Sequence, residues 1–153
     1  TPQDQILVND FDSSASNLGR LQAFSKNGNF LWTSPNVGVQ APAVITPNGN
    51  IGLVNGPSRP LTLLNPTAGT ILSSTFLPVA PLSIPSVDPN GIFYAQTSSG
   101  APLGTGMAAF NTNGLIWFFP TAKHQGLSAP SIGPDGTLYF KVEDTIYALN
   151  VAP

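Results

Sequence analysis

The sequence predicts an all-β fold built from a repeated unit of short antiparallel strands. No stretch of ten or more residues has helical apolar spacing free of Gly or Pro, in a chain of 153 residues with 15 Gly and 16 Pro. Short β-branched and aromatic segments are instead bounded by Asn-Gly or Asp-Gly pairs, which favour two-residue hairpin turns in which both residues take positive φ. These pairs are Asn27-Gly28, Asn48-Gly49, Asn55-Gly56, Asn90-Gly91, Asn113-Gly114 and Asp135-Gly136.

Two sequence motifs recur along the chain with one common period. The first leads from a proline to a Pro-Asn-Gly or Pro-Asp-Gly turn, and its turn glycines lie 42 and 45 residues apart. The second places two apolar residues and a polar residue before a glycine, with glycine spacings of 41 and 45 residues. Because two independent motifs share the period, we predict a repeat architecture. Its anchor positions are Gly28, Trp32, Pro42, Gly49, Asn65, Gly69, Pro85, Gly91, Asn111, Gly114, Trp117, Pro130, Gly136 and Asn150.

Each full repeat divides into four strands. One strand ends at the Pro-Asn-Gly turn, one follows that turn, one ends in the second motif, and one follows the glycine of that motif. Four short antiparallel strands every 41–45 residues are typical of one blade of a β-propeller, in which neighbouring blades bury each other's apolar faces. We therefore predict one domain over residues 1–153, with blades at about 1–39, 40–80, 81–126 and 127–153.

The motif residues resemble a known repeat family. Tyr139-Phe140 followed by Ile146 to Asn150, together with the Gly-to-Trp spacing at Gly28 and Trp32, is similar to the pyrroloquinoline-quinone-like repeat. Quinoprotein dehydrogenases share this repeat with non-catalytic propellers such as outer-membrane assembly scaffolds. The resemblance covers nearly the whole chain and is weaker in the second blade, where Gly52 replaces an aromatic residue.

The resemblance implies the propeller fold more than any one activity. In the quinoproteins, the cofactor requires a vicinal disulfide and calcium-binding acids in the central channel. This chain has no Cys and only seven acidic residues. The catalytic part of the resemblance therefore does not carry over, and we expect no enzyme activity and no cofactor.

The first and last blades are predicted to be incomplete. The segment from Ile6 to Val8 takes the place of a second strand, and Asn150 ends a third strand, so the chain holds about 14 strands, or three and a half to four blades. Three arrangements would cover the open blades: a compact four-bladed ring, a ring or filament completed by another copy, or a longer propeller chain of which this is a fragment. In the second case, strands from a partner copy would complete the terminal blades by β-augmentation.

Composition excludes several classes of partner. Five Lys and Arg residues scattered from Arg20 to Lys141 cannot form the basic patch that binds nucleic acid. No apolar segment approaches the ~18–20 residues of a membrane helix, so we expect no membrane insertion. Sparse charge, the absence of Cys and abundant Ser, Thr and Asn fit an exported protein, located outside the cell or at its surface, with the periplasm as the alternative.

Few residues offer chemistry. His124 is the single histidine and has no sequence-assigned partner, so it is interpreted as an exposed loop residue. Asp10 and Asp12 begin a stretch with alternating oxygen ligands that could hold calcium, but Ala15 and Leu21 stand where an EF-hand needs Gly and Glu. A polar hairpin loop is the favoured interpretation there.

Aromatic and acidic pairs also have structural interpretations. Trp32 and Trp117 could stack on sugars or on a quinone, but their shared position after the anchor glycine favours packing between blades. Glu143-Asp144 is expected to form the tip of the hairpin that joins Val142 to Ile146.

The function predicted from the sequence is a non-catalytic, exported propeller module that associates with copies of itself in a surface assembly. One alternative is a carbohydrate- or protein-binding propeller that uses the loops at residues 9–17 and 97–106. The other alternative is a fragment of a quinoprotein-type oxidoreductase.

Overall fold

A computed structural model describes most of the chain. The described residues are 4–10, 19–35, 37, 42–54, 61–97, 103–121 and 128–151. Asp12, His124 and the Asn55-Gly56 pair lie outside these residues. The described part of the chain contains no helical segment with the length and hydrophobicity of a membrane span.

Fourteen strands in the described residues form four antiparallel sheets, which confirms the predicted all-β propeller class. Sheet 1 contains β1 (Gln5–Asp10), β2 (Arg20–Ser25) and β3 (Phe30–Thr33). Sheet 2 contains β4 (Val44–Ile45), β5 (Ile51–Val54), β6 (Leu61–Leu64) and β7 (Ile71–Thr75). Sheet 3 contains β8 (Ser86–Val87), β9 (Phe93–Thr97), β10 (Gly106–Asn111) and β11 (Gly114–Pro120). Sheet 4 contains β12 (Ser131–Ile132), β13 (Thr137–Val142) and β14 (Thr145–Asn150).

Strands pair in chain order within every sheet. Sheets 2 and 3 have four strands each, and sheets 1 and 4 have three each. The register shows that β1 matches the second strand of sheets 2 and 3, because Ile6 pairs with Phe24 as Ile51 pairs with Leu64. Sheet 1 therefore shows no first strand, and sheet 4 shows no fourth strand, among the described residues.

The turns between the first two strands of a repeat differ from the sequence prediction. Gly49, Gly91 and Gly136 have φ of 83°, 79° and 79°, but the Asn or Asp before each of them does not have positive φ. Gly49 donates its backbone N–H to Thr46 O over 2.8 Å, which closes a type I turn with the glycine after it in the left-handed region. The expectation of positive φ at both residues was wrong, because Pro47 fixes a negative φ that fits a type I turn.

The pairing of the last two strands shifts by one residue at the same repeat position in sheets 1, 2 and 3. Each shift is a β-bulge, which leaves one extra residue on the outer strand. The extra residues are Leu31, Leu72 and Ile116, and each is about half-exposed. The recurrence of the bulge shows that the repeat extends to backbone detail that the sequence spacing did not reveal.

Apolar side chains between consecutive sheets form the core in three clusters. Sheets 1 and 2 enclose Leu21, Ala23, Trp32, Ile51, Leu53 and Leu64. Sheets 2 and 3 enclose Val54, Leu61, Leu77, Val79, Phe93, Ala95, Ala108 and Phe110. Sheets 3 and 4 enclose Tyr94, Met107, Ala109, Leu138, Phe140 and Val142. Stacking of the sheets therefore buries both faces of sheets 2 and 3.

Gly52, where the repeat predicts an aromatic residue, has a packing explanation. A Cβ atom on Gly52 would lie 2.6 Å from the ring of Phe93 in sheet 3. The Phe93 ring thus occupies the space that a side chain at this position would need. The departure of Gly52 from the repeat is therefore compensated by the large side chain of Phe93 in the neighbouring sheet.

Candidate functional site

The repeat anchors lie at turns and at contacts between sheets. Gly28, Gly69 and Gly114 have φ of 81°, 67° and 121° after the second motif. Asn65 Oδ1 accepts the backbone N–H groups of Thr67 and Ala68 over 2.8 and 3.2 Å, which stabilises the turn before Gly69. Asn111 and Asn150 end the corresponding strands of the later repeats, and Gly136 lies in the first-motif turn of sheet 4. Pro85 and Pro130 are buried before the first strands of sheets 3 and 4, while Pro42 is exposed before β4.

Side-chain hydrogen bonds join every pair of consecutive sheets. The bonds run from Trp32 Nε1 to Pro66 O (3.0 Å), from Thr75 Oγ1 to Thr112 O (2.6 Å) and from Gln96 Nε2 to Lys141 O (2.9 Å). In each case a side chain of one sheet donates to a backbone carbonyl of the next. At each described junction, therefore, the donor side chain belongs to the earlier sheet and the acceptor carbonyl to the later one.

The far side of sheet 4 exposes positions that the repeat elsewhere buries. This side carries Tyr139, Lys141, Ile146 and Ala148, and we call it the tail face. Ile146 is 72% exposed, whereas the residues at its repeat position in the other three sheets, Leu21, Leu61 and Met107, are 0% exposed. Tyr139 is likewise 43% exposed, while its counterpart Tyr94 is 1% exposed. The tail face thus carries the side chains that pack against a following blade in the other sheets, but no described blade lies beside it.

The side of sheet 1 that faces away from sheet 2 carries the other set of contact residues, which in the later sheets pack against a preceding blade. We call this side, formed by Ile6, Val8 and Phe24, the head face. Ile6 is 51% exposed, whereas the matching residues Ile51, Phe93 and Leu138 are at most 1% exposed. Val8 is 43% exposed, and its counterparts Leu53, Ala95 and Phe140 are at most 3% exposed. In sheets 2, 3 and 4 these positions pack against the preceding sheet.

The two faces are different in kind, and they do not cover each other. The tail face has the positions that contact a following sheet, and the head face has the positions that contact a preceding sheet. Since both remain exposed, the four described sheets form an open arc. This overturns the compact four-bladed ring that the sequence left as one alternative.

Of the candidate chemical groups, Asp10 lies on the same side of β1 as Ile6 and Val8, at the edge of the head face, and others lie outside the described residues. Asp10 ends β1, and its Oδ2 atom accepts a hydrogen bond from Gln22 Nε2 over 2.9 Å. Its proposed calcium partner Asp12 and the single His124 lie outside the described residues. Among the residues that the structure describes, no three His, Cys, Asp or Glu side chains cluster closely enough to hold a metal ion. Glu143 and Asp144 form the tip of the β13–β14 hairpin, as predicted.

A buried carboxylate that the sequence analysis did not single out stabilises the first turn of sheet 3. Asp88 Oδ1 accepts the backbone N–H groups of Asn90 and Ile92 over 2.9 and 2.8 Å. The hydroxyl of Tyr94 donates to Asp88 Oδ2 over 3.2 Å. Burial, followed by the charge of Asp88 and this hydrogen bond, raises the pKa of Tyr94 to about 12. These bonds fit a structural role, because Asp88 holds together a turn and the strand that follows it.

Alkaline stability is expected to depend on Tyr94. Its pKa is 10.0 when unperturbed and about 12 in the folded chain, so the folded state holds this proton more tightly. The resulting stabilisation is present below pH 10 and is lost as the pH rises toward 12. We expect the free energy of unfolding, measured with urea from pH 8 to pH 12, to fall more steeply for the wild type than for Tyr94→Phe. Parallel curves for the two proteins would contradict this assignment.

The fold and the open faces define the chain as an arc of β-propeller blades. Solved structures with a similar fold include BamB from Moraxella catarrhalis, with a TM-score of 0.60 and 17% identity, covering 95% of this chain and 46% of that one. A protein of unknown function from Bacteroides caccae has a TM-score of 0.57 and 15% identity, covering 86% of this chain and 54% of that one. A luciferin-regenerating enzyme has a TM-score of 0.55 and 12% identity, covering 92% of this chain and 56% of that one.

This chain therefore spans about half the length of each of these three structures. No protein-family model and no curated protein sequence matches it. At these identities the similarity establishes the propeller fold, and membership of the pyrroloquinoline-quinone-like repeat family stays a prediction.

Proposed function

We propose that this chain is a non-catalytic structural module that associates with copies of itself through its open blade faces. The tail face of one copy packs on the head face of the next. The observation that carries this proposal is the exposure of Ile146, at a repeat position that is fully buried in the other three sheets. Apolar surface of this kind marks interaction sites, since its burial lowers the free energy of the assembly.

Two further features support association between copies. The tail face has a hydrogen-bond donor where the junctions have one. Lys141 occupies the repeat position of Gln96, whose side chain donates to the next sheet. The chain also carries a formal net charge of only −2, so electrostatic repulsion between copies is weak. Strands exchanged between partner copies would complete the three-stranded sheets 1 and 4.

The contact is heterologous, since two different faces meet. Such contacts generate a closed ring when the rotation between copies closes and a filament when it does not. Two copies would provide eight sheets. We place such an assembly outside the cell or at its surface, on the basis of the sparse charge and the abundant Ser, Thr and Asn.

The proposal is tested by placing a charge on one face at a time. Ile146→Asp alters the tail face, and Ile6→Asp alters the head face; both residues are more than half exposed, so neither change disturbs the core of a single copy. We expect sedimentation-velocity ultracentrifugation of the wild type at micromolar concentration to show dimers or larger species. Each variant alone is expected to sediment as a monomer, because every head-to-tail contact then contains one altered face.

Mixing the two variants provides the decisive comparison. Ile146→Asp retains an intact head face and Ile6→Asp retains an intact tail face, so the mixture is expected to form heterodimers with one native contact. Ile116→Asp is the matched control, since Ile116 is 47% exposed at the bulge of β11 and lies on neither face. A monomeric wild type, or a mixture that remains monomeric, would refute head-to-tail association.

The absence of catalysis is tested separately. Incubation of the purified chain with pyrroloquinoline quinone, calcium and an alcohol substrate is expected to produce no oxidation. Turnover under these conditions would favour the oxidoreductase alternative, whatever the oligomeric state.

A further inference from the structure

The outer strands of sheets 1, 2 and 3 carry different residues at one repeat position. After the bulge, Trp32 pairs with Ala23 in sheet 1, and Trp117 pairs with Ala109 in sheet 3. In sheet 2 the corresponding pair is Ser73 with Leu63. The second sheet therefore lacks the indole ring that the equivalent strands of its two neighbours supply.

Trp32 shows what this position does when it is filled. Its indole lies between sheet 1 and the turn that ends the third strand of sheet 2, and the residue is only 7% exposed. Its Nε1 atom donates to Pro66 O over 3.0 Å. The ring lies so close to Gly69 that a Cβ atom there would be 2.3 Å from the ring. The junction between sheets 1 and 2 is thus closed by an aromatic ring.

One junction further along, a cavity of about 310 Å³ lies between sheets 2 and 3. Its walls include Leu63 and the two residues Asn111 and Thr112, which are the repeat counterparts of Asn65 and Pro66. Leu63 stands where sheets 1 and 3 have alanine, and it forms one wall of the cavity. Ser73 pairs with Leu63 but does not itself line the cavity. Ser73 Oγ is buried and has no hydrogen-bond partner among the described residues.

The lining of this cavity is neutral. Leu63 and Phe93 supply apolar walls, the turns at residues 46–48 and 89–91 form its rim, and none of the described residues that line it carries a charged side chain. Asn90 lies exposed on this rim, where its side-chain amide can donate or accept a hydrogen bond. A volume near 300 Å³ with apolar walls and a few polar groups is within the range of pockets for small molecules.

We propose that this cavity binds a neutral aromatic ring of indole size. The repeat supplies the argument for this ligand class, because the wall residues Leu63 and Thr112 are the counterparts of two residues that contact Trp32 one junction earlier. These are Ala23, which pairs with Trp32, and Pro66, whose carbonyl accepts the indole N–H. Polar groups at the rim suit a ring with a hydrogen-bonding edge. The proposal concerns a junction inside one copy and is independent of association between copies.

A double variant tests the proposal by restoring the residue pair of sheets 1 and 3. Leu63→Ala/Ser73→Trp is expected to fill the cavity with its own indole and to abolish ligand binding. Leu72→Trp is the matched control, since Leu72 is the half-exposed bulge residue of the same strand. Asn90→Ala changes only the exposed rim and is expected to weaken binding about threefold. This rim variant keeps the test valid if the double variant does not fold.

The probes are free indole, the peptide Gly-Trp-Gly and methyl glucopyranoside, each followed by backbone amide chemical shifts in NMR spectra. We expect free indole to shift the amides of the cavity residues with a dissociation constant of about 1 mM. Shifts with the peptide as well would assign the cavity to a side chain of a partner protein, and shifts with indole alone would assign it to a small molecule. The proposal is overturned if indole shifts no cavity amide, if its binding survives in the double variant, or if only the glucoside binds.

Discussion

Replacement of Phe110 by alanine is expected to lower the free energy of unfolding by about 4 kcal/mol. Phe110 is 0% exposed, and its ring stacks on Phe93 with centroids 5.9 Å apart and planes inclined by 9°. The pair lies in the cluster between sheets 2 and 3. Removal of the ring leaves a cavity at a contact where two neighbouring sheets support each other, so little relaxation can fill it. The measurement is urea unfolding followed by circular dichroism.

Two companion variants define the cause of this loss. The equivalent residue is leucine in sheets 2 and 4, so Phe110→Leu is expected to cost about 1 kcal/mol and to remain folded. Phe76→Ala removes the same ring from a residue that is 69% exposed, and is expected to cost less than about 0.5 kcal/mol. Equal losses for Phe110→Ala and Phe76→Ala would show that Phe110 does not belong to a packed junction.

Gly69→Ala is expected to cost about 3 kcal/mol, the second largest effect. Gly69 has a φ of 67°, where any side chain is strained. A Cβ atom would also lie 2.3 Å from the Trp32 ring, which would have to move away from Pro66 O and lose its hydrogen bond. Urea unfolding gives the cost, and a red shift of Trp32 fluorescence, recorded in a Trp117→Phe background, reports displacement of the ring.

Gly28 provides a control at the same position of the repeat. Its φ is 81°, but no atom lies within 4 Å of its ideal Cβ position. Gly28→Ala is therefore expected to cost about 1 kcal/mol, which isolates the backbone strain. In a Trp32→Leu background the cost of Gly69→Ala is expected to approach that of Gly28→Ala, because the two residues are coupled. Equal costs in the wild-type background would refute the contact.

Much of the fold could be predicted from the sequence, since its signals are local and recur. Turn glycines at a spacing of 41–45 residues predicted four-stranded repeats, and the described residues contain four sheets in that order. At Gly49, Gly91 and Gly136 the predicted turn type was wrong because the proline before the Asn or Asp was not weighed against the Asn-Gly preference. The negative φ that proline fixes outweighs the preference of an Asn-Gly pair for two residues with positive φ.

The candidate site was less predictable. Incomplete first and last sheets were expected from the strand count, but which side chains the open faces display depends on register. Ile146 and Ile6 have no local sequence feature that distinguishes them from buried isoleucine residues. The carboxylate of Asp88 was also missed, although its place before a Pro-Asn-Gly turn is a signal for an Asx turn.

The sequence by itself determined the repeat, the positions of its turns and the alternation that gives each sheet two apolar faces. These properties depend on near neighbours along the chain. The tertiary structure alone decided that Phe93 fills the space above Gly52, that a cavity remains beside Leu63, and that the head and tail faces remain open. Each of these depends on the volume and exposure of residues about 40 positions apart, which become neighbours only when the sheets stack.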